Sequence, residues 1–320
     1  MLPNQGDGAG GRVELTYVER EPGGNALLAG VNVGGTTTSV VLGTRGGVIL
    51  ERRAWPTQAH DGEALYAAIV DALHAVAEDA GAIGVAIGGP MDARTGIVIS
   101  APHLPGMHGF RLGERLRADF AKPVAVHHDA AGCALAEVRW GADRGVGGLA
   151  YLTCGTGFGA GIVIDGRARY GSRGFSPELG HVRYRDDGPD VFGKPGCFES
   201  YGAASALPKL AQIRDASFTA TTGAEVAERA ARGDAVAQAA LDDNAAGVGA
   251  ACALLADLLV LDVIVLGSLA TYLGEPWIAS VRATFVREAL PDHAASCTLR
   301  APSLDALQDL SGLAAALDAT

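Results

Sequence analysis

The chain has 320 residues, 48% of them hydrophobic and 19% charged, with a formal net charge of −11 at pH 7. That length fits two domains of ordinary size, each with its own core. The acidic balance and the lack of a Lys/Arg cluster argue against a nucleic-acid or anionic-membrane surface. The longest apolar run, 250–265, is broken by Asp257 and Asp262, so no stretch reads as a membrane span.

Residues 1–26 are expected to form a flexible N-terminal extension, Gly-rich and polar over 1–12, with a candidate strand at 13–18. Three close strands follow, at 26–32, 39–42 and 48–51. Gly34, Gly35, Thr36, Thr37 and Thr38 join the first two. Asp61 suits the N-cap of a helix reaching about residue 80, because Leu65, Ile69, Leu73 and Val76 recur at helical spacing. A buried strand at 83–87 ends in Gly88, Gly89 and Pro90, and a loop-rich stretch carries His103. A short helix at 112–120 precedes a strand at 123–127, and Asp129 heads a helix to about Trp140.

The pattern then restarts. Residues 151–166 run as apolar strand, glycine turn, apolar strand and Asp-Gly turn, with Gly155, Thr156, Gly157, Gly159 and Gly161 in the centre. Bare amides and hydroxyls at a tight turn suit a phosphate. No Gly-Lys-Ser/Thr follows, so the run is not a P-loop. Ile162 to Ile164 continue as strand, so it is not a dinucleotide turn. A plain hairpin with glycine only for its geometry is the competing reading. Residues 28–43 repeat the same device, which favours two Gly/Thr turns gripping one polyphosphate. Helices are expected near 203–214, 224–233, 235–259 and 275–290, and strands at 263–266 and 297–301. Ser303 is expected to cap a final helix at 304–317. Strands alternating with helices predict an α/β protein in two similar lobes. The five cysteines are odd in number and scattered, which suits reduced thiols in a cytoplasmic protein.

Several separated segments, in order, resemble the ROK family of bacterial sugar kinases and related repressors. They are Gly30–Thr36 (GVNVGGT), Gly89–Asp92 (GPMD), Ala101–Gly106 (APHLPG), His128–Glu137 (HDAAGCALAE), the 151–166 run, Glu178–His181 (ELGH), Gly196–Glu199 (GCFE) and Val263–Gly267 (VIVLG). The resemblance covers about residues 27–320. It implies an actin/hexokinase-like (ribonuclease H-like) duplicated α/β fold in two lobes. The small lobe would span 27–128 and be completed by a C-terminal helix within 303–320, and the large lobe would span 129–302.

The resemblance also implies roles. The activity would be ATP-dependent phosphorylation of a hexose, most simply at its 6-hydroxyl, in a cytoplasmic homodimer using ATP and Mg2+. Asp129 would be the general base, although a plain helix N-cap is its bland role. Gly89, His103, His128, Asp129, Glu178, His181 and Glu199 would face the sugar. Gly34, Gly35, Thr36, Thr37, Gly155, Thr156, Gly157 and Gly267 would face ATP.

Departures from the family pattern carry information. Asn32 replaces an Asp that helps hold hydrated Mg2+, so Asn32 would be at most an indirect, weaker metal contact. The family's zinc-binding His and three Cys are reduced to His181 and Cys197, too few for a closed site, so no structural zinc is expected. His103 and His128 stand where family members carry Asn, which points to glucose or to a hexose altered near C3 or C4, such as 3-amino-3-deoxyglucose. Ala131 and Ser268 replace a family Asn and Gly, which keeps a catalytically weak sugar-binding protein as an alternative. A ROK-type regulator is disfavoured, because family repressors carry an added helix-turn-helix domain and only about 26 residues precede the first motif.

Overall fold

The computed structural model describes residues 27–191 and 193–320. The strand expected at 13–18 lies outside the described residues. In the first lobe, β1 (Leu28–Val33), β2 (Thr37–Gly43) and β3 (Ile49–Pro56) form an antiparallel meander. Helix α1 (Gly62–Val76) leads to β4 (Ala82–Ile87), and α2 (Leu112–Phe120) leads to β5 (Val124–His128). The sheet order is β3-β2-β1-β4-β5, with β4 parallel to both β1 and β5.

Helix α3 (Asp129–Trp140) crosses to the second lobe, where β6 (Gly148–Cys154), β7 (Phe158–Ile164) and β8 (Arg167–Ala168) form another meander. Helices α4 (Glu199–Gly202), α5 (Leu207–Arg214), α6 (Gly223–Ala231) and α7 (Ala235–Leu259) follow. Then come β9 (Val263–Leu266), α8 (Leu269–Leu273), α9 (Glu275–Glu288), α10 (Pro291–Ser296), β10 (Thr298–Arg300) and α11 (Leu307–Leu317). The second sheet runs β8-β7-β6-β9-β10, and β9 is parallel to β6 and β10. The two sheets share one topology, so the duplication seen in the sequence is a duplication of fold.

Local chemistry sets the helix starts. Asp61 accepts from the Ala64 amide at 2.9 Å, and Thr222 and Glu225 close a capping box on α6. Helix α1 buries Leu65, Ile69, Leu73 and Val76 against the first sheet, as their spacing predicts. Among the described residues no helix is long and apolar enough to cross a membrane.

Each sheet has its own core, and a third core lies between the sheets. There α3 contributes Cys133 and Leu135, α11 contributes Leu310 and Leu313, and Tyr151 joins from β6. Helix α11 lies against β1, β4 and α3. The approach is close: a Cβ on Gly84 would stand 2.0 Å from the Ala316 amide nitrogen.

The last helix begins at Leu307, not 304, and Ser303 does not cap it. Ser303 is instead taken by Glu137, which is fully buried on α3. Oε1 accepts from the Ser303 amide at 2.8 Å, and Oε2 accepts from Ser303 Oγ at 2.6 Å and Arg300 at 2.8 Å. A buried carboxylate outcompetes a helix end for these donors because it has more to lose if left unpaired.

Candidate functional site

A cleft of about 420 Å³ opens between the two sheets. The first Gly/Thr turn, Gly34 to Thr37, forms one wall, and Gly155, Thr156 and Gly157 form the facing wall. Gly89, His103, His128, Asp129, Glu178 and Glu199 line the same cleft, and Asn32 stands beside the first turn. Nine separated stretches of chain line this one volume, Ser268 and Gln308 among them.

The duplication explains why the turns face each other. Each joins the first two antiparallel strands of its sheet, β1 to β2 and β6 to β7. The first is closed by Gly34 N donating to Thr37 O at 3.0 Å, the second by Gly155 N donating to Gly157 O at 3.1 Å. Gly35, Thr36, Thr37 and Thr156 are exposed, so their amides and hydroxyls are open to a ligand. This cradle of bare backbone fits a polyphosphate.

Asp129 sits where β5 becomes α3. Strand β7 comes so close that a Cβ on Gly161 would stand 2.0 Å from Ala130 O, which brings the second turn beside the carboxylate. Asp129 is the first helical residue; the cap position belongs to His128. The Ala130 amide lies 3.3 Å from His128 Nδ1 but only 2.6 Å from Asp129 Oδ1. The shorter, charge-assisted bond holds that proton. His128 Nδ1 also stands 3.1 Å from the same Oδ1, close but not aligned as a hydrogen bond. Among the described residues Oδ2 makes no hydrogen bond, so one oxygen is fixed and the other is free.

The remaining polar groups cluster on one side. Glu178 is exposed and accepts from Ser176 Oγ at 2.9 Å. Glu199 Oε2 accepts from the Phe158 amide at 3.1 Å. Burial, the largest influence, pushes the Glu199 carboxyl above its ordinary value; the Phe158 amide and His103 oppose this, while Glu178 adds to it. A Cβ on Gly157 would meet Glu199 Oε2 at 3.2 Å and His103 Nε2 at 3.3 Å. Gly157 is therefore crowded by the carboxylate and imidazole side of the cleft, although its motif reads as a phosphate turn.

Two expected site residues stand elsewhere. His181 is exposed on a 3₁₀ turn and does not line the cleft; its carbonyl accepts from Lys194 Nζ at 2.5 Å, and its imidazole reaches Glu199 only through its field. Gly267 is buried beneath Tyr151, whose hydroxyl would lie 2.1 Å from a Cβ there. Its neighbour Ser268 faces the cleft instead, beside Gly155, with φ +44° and ψ −81°. That left-handed backbone favours glycine.

Sequence reasoning also missed Gln308, which enters the cleft from α11, and Tyr170, whose hydroxyl accepts the His128 amide at 3.2 Å. No local motif marks either residue. Among the described residues no group of three His, Cys, Asp or Glu is placed to hold a metal ion. Cys197 is buried and His181 exposed, and Asp190 is committed to the Gly193 amide at 2.9 Å, so these residues do not fit a structural zinc.

Comparison with known proteins agrees with this build. The ROK family model matches residues 28–317. A glucokinase from Halalkalibacterium halodurans is 31% identical over 297 residues, covering 86% of this chain and 90% of that protein. A ROK family glucokinase from Streptomyces griseus, solved with glucose and AMPPNP, superposes with a TM-score of 0.77 at 29% identity, covering 91% of this chain and 99% of that one. A ROK hexokinase from Thermus thermophilus gives 0.79 at 29% identity, covering 91% and 98%. The chain belongs to the ROK family and shares the actin/hexokinase-like fold of its sugar kinases.

Proposed function

We propose that this protein is an ATP-dependent sugar kinase that phosphorylates the 6-hydroxyl of a hexose, with Asp129 as general base. The observation that carries the reading is the Asp129 carboxylate. Its Oδ1 is held by the Ala130 amide, its Oδ2 makes no hydrogen bond among the described residues, and the residue lines the cleft with both Gly/Thr turns, Glu178, Glu199 and His103. A hydroxyl bound among those polar side chains would give its proton to Oδ2 as its oxygen attacks the terminal phosphorus, and ADP would depart. Such transfer depends mainly on positioning and charge, which two facing rows of backbone amides and hydroxyls supply. The glucokinase relatives support the reaction class.

Mg2+, when bound with ATP, would mask charge between the phosphates. The cleft offers Asn32 and Asp129, and the described residues hold no carboxylate cage, so phosphates and water would supply most of the ion's ligands.

The division into lobes 27–128 and 129–302, with 303–320 returning to the first, is part of this reading. The separate cores of the two sheets support it, as does the seat of α11 on β1 and β4.

The sugar is glucose or a hexose altered near C3 or C4, such as 3-amino-3-deoxyglucose. His128 Nε2 lies on this side of the cleft, 3.2 Å from where a Cβ on Gly89 would stand. An imidazole nitrogen there suits a hydroxyl or ring amine. The test is ADP release with Mg2+ and ATP over a panel of hexoses, deoxy sugars and amino sugars, with the product's phosphate located by NMR. A hexose 6-phosphate is expected. No ADP with any sugar would overturn the kinase reading; turnover of plain glucose far above every analogue would remove the altered-sugar reading.

A further inference from the structure

Behind the end of β5 lies a second cavity, of about 480 Å³, that the proposed reaction does not use. Successive strand residues point to opposite sides. His128 lines the sugar cleft, and His127 lines this cavity. Arg94 borders it from the two-strand ribbon Met91–Asp92/Ile97–Val98 of the first lobe. Arg167 and Tyr170 border it from the second lobe, and Asp318 from the turn after α11.

Its charge is unusual for a chain of net −11. Asp318 is already paired with Arg139, and His127 Nε2 stands 3.0 Å from its carboxylate. The two arginines on the other walls are less committed. Arg167 makes no side-chain hydrogen bond or ion pair among the described residues. Arg94 uses only its Nε, at 3.4 Å from Asp92 Oδ1, which leaves both terminal nitrogens without a partner there. Two guanidinium forks from opposite lobes face one volume of the size that small ligands occupy.

We propose that this cavity binds a phosphate group, as inorganic phosphate or as a phosphate monoester, between Arg94 and Arg167. Guanidinium forks match phosphate oxygens in pairs. The cavity is wired to the cleft by two short routes. Tyr170 bonds His127 Nδ1 at 2.7 Å and accepts the His128 amide, next to Asp129. The Gly171–Gly174 turn, held to the first lobe by Ala93 N donating to Gly174 O at 2.9 Å, leads through Ser176 to Glu178. A ligand bridging the lobes here would shift sugar affinity rather than ATP affinity.

The test is isothermal titration of the full chain with inorganic phosphate and, separately, with hexose 6-phosphate. It uses the native protein, Arg94→Gln/Arg167→Gln and the single variant Arg167→Glu, whose exposed side chain has no fold role to lose. A binding event weakened about tenfold or more in both variants, with AMPPNP binding unchanged, is expected. If hexose 6-phosphate alone shows it, the ligand is the monoester; if both do, the phosphate group suffices. Identical titrations in native and variant proteins would overturn the proposal. Because binding is read directly, a protein inactive on every sugar leaves this test standing.

Discussion

Asp129→Asn separates a base from a structural cap. The amide keeps an Oδ1 that accepts from the Ala130 amide, now 2.6 Å away. The local bonds of the helix start therefore survive. The loss is the negative charge at the first turn of α3, worth about 0.3–1 kcal/mol, or about 2 °C in Tm for a chain of this size. Catalysis loses far more, because the free Oδ2 becomes an NH2 that cannot take a proton. General-base removal costs roughly 10²–10⁴ in kcat, about 3–5 kcal/mol in the barrier. A coupled ADP assay with saturating sugar and ATP reads kcat, and thermal unfolding reads the fold. The expected result is kcat down by at least about a hundredfold, KM for the sugar nearly unchanged, and Tm nearly unchanged. A folded variant with kcat within about tenfold of native would refute the base. A raised KM with native kcat would reassign Asp129 to sugar binding.

Four further outcomes are expected. Glu199 is less willing to ionise in the fold than in the unfolded chain, so the folded state binds more protons and stability falls as pH rises above the ordinary carboxylate value of 4.5. Glu199→Gln should therefore melt above native protein at pH 7, with the gap closing toward pH 4, and lose sugar turnover; a gap that widens in acid would contradict the burial argument. Ser268→Gly should stabilise by about 1 kcal/mol by relieving the left-handed backbone at φ +44°; urea unfolding that shows a loss would mean the Oγ matters more. Glu137→Ala should destabilise by about 3–5 kcal/mol, because Arg300 and both Ser303 donors lose a fully buried partner; a cost below about 1 kcal/mol would show that Asp143 and water replace it. Purified protein should carry little zinc by elemental analysis; about one equivalent per chain would show that His181 and Cys197 recruit ligands from elsewhere.

Much of the fold was legible in the sequence because it rests on short-range physics. The α1 stripe, the Asp61 cap, the α7 span of Ala235–Leu259 and the β9 strand depend on neighbours a few positions away. The repeated strand–Gly/Thr–strand device was visible because both copies kept the same turn chemistry. The structure departs from local signals where a distant partner intervenes. Ser303 has the residue type of a cap, yet Glu137, 166 positions earlier, takes its amide and hydroxyl. Gly267 ends a strand beside ATP motifs, yet its lack of a side chain serves the Tyr151 hydroxyl beneath it.

By itself the sequence determined the α/β duplication, the two Gly/Thr turns and the strand-to-helix position of Asp129, since each is written in residue types at fixed spacing. Only the tertiary structure decided that the turns face each other, that Gly157 lies against Glu199 and His103 while His181 stays outside, and that Arg94 and Arg167 meet across a second cavity. Those relations join residues tens to hundreds of positions apart. They follow from how two sheets and α11 pack, and no local pattern encodes that packing.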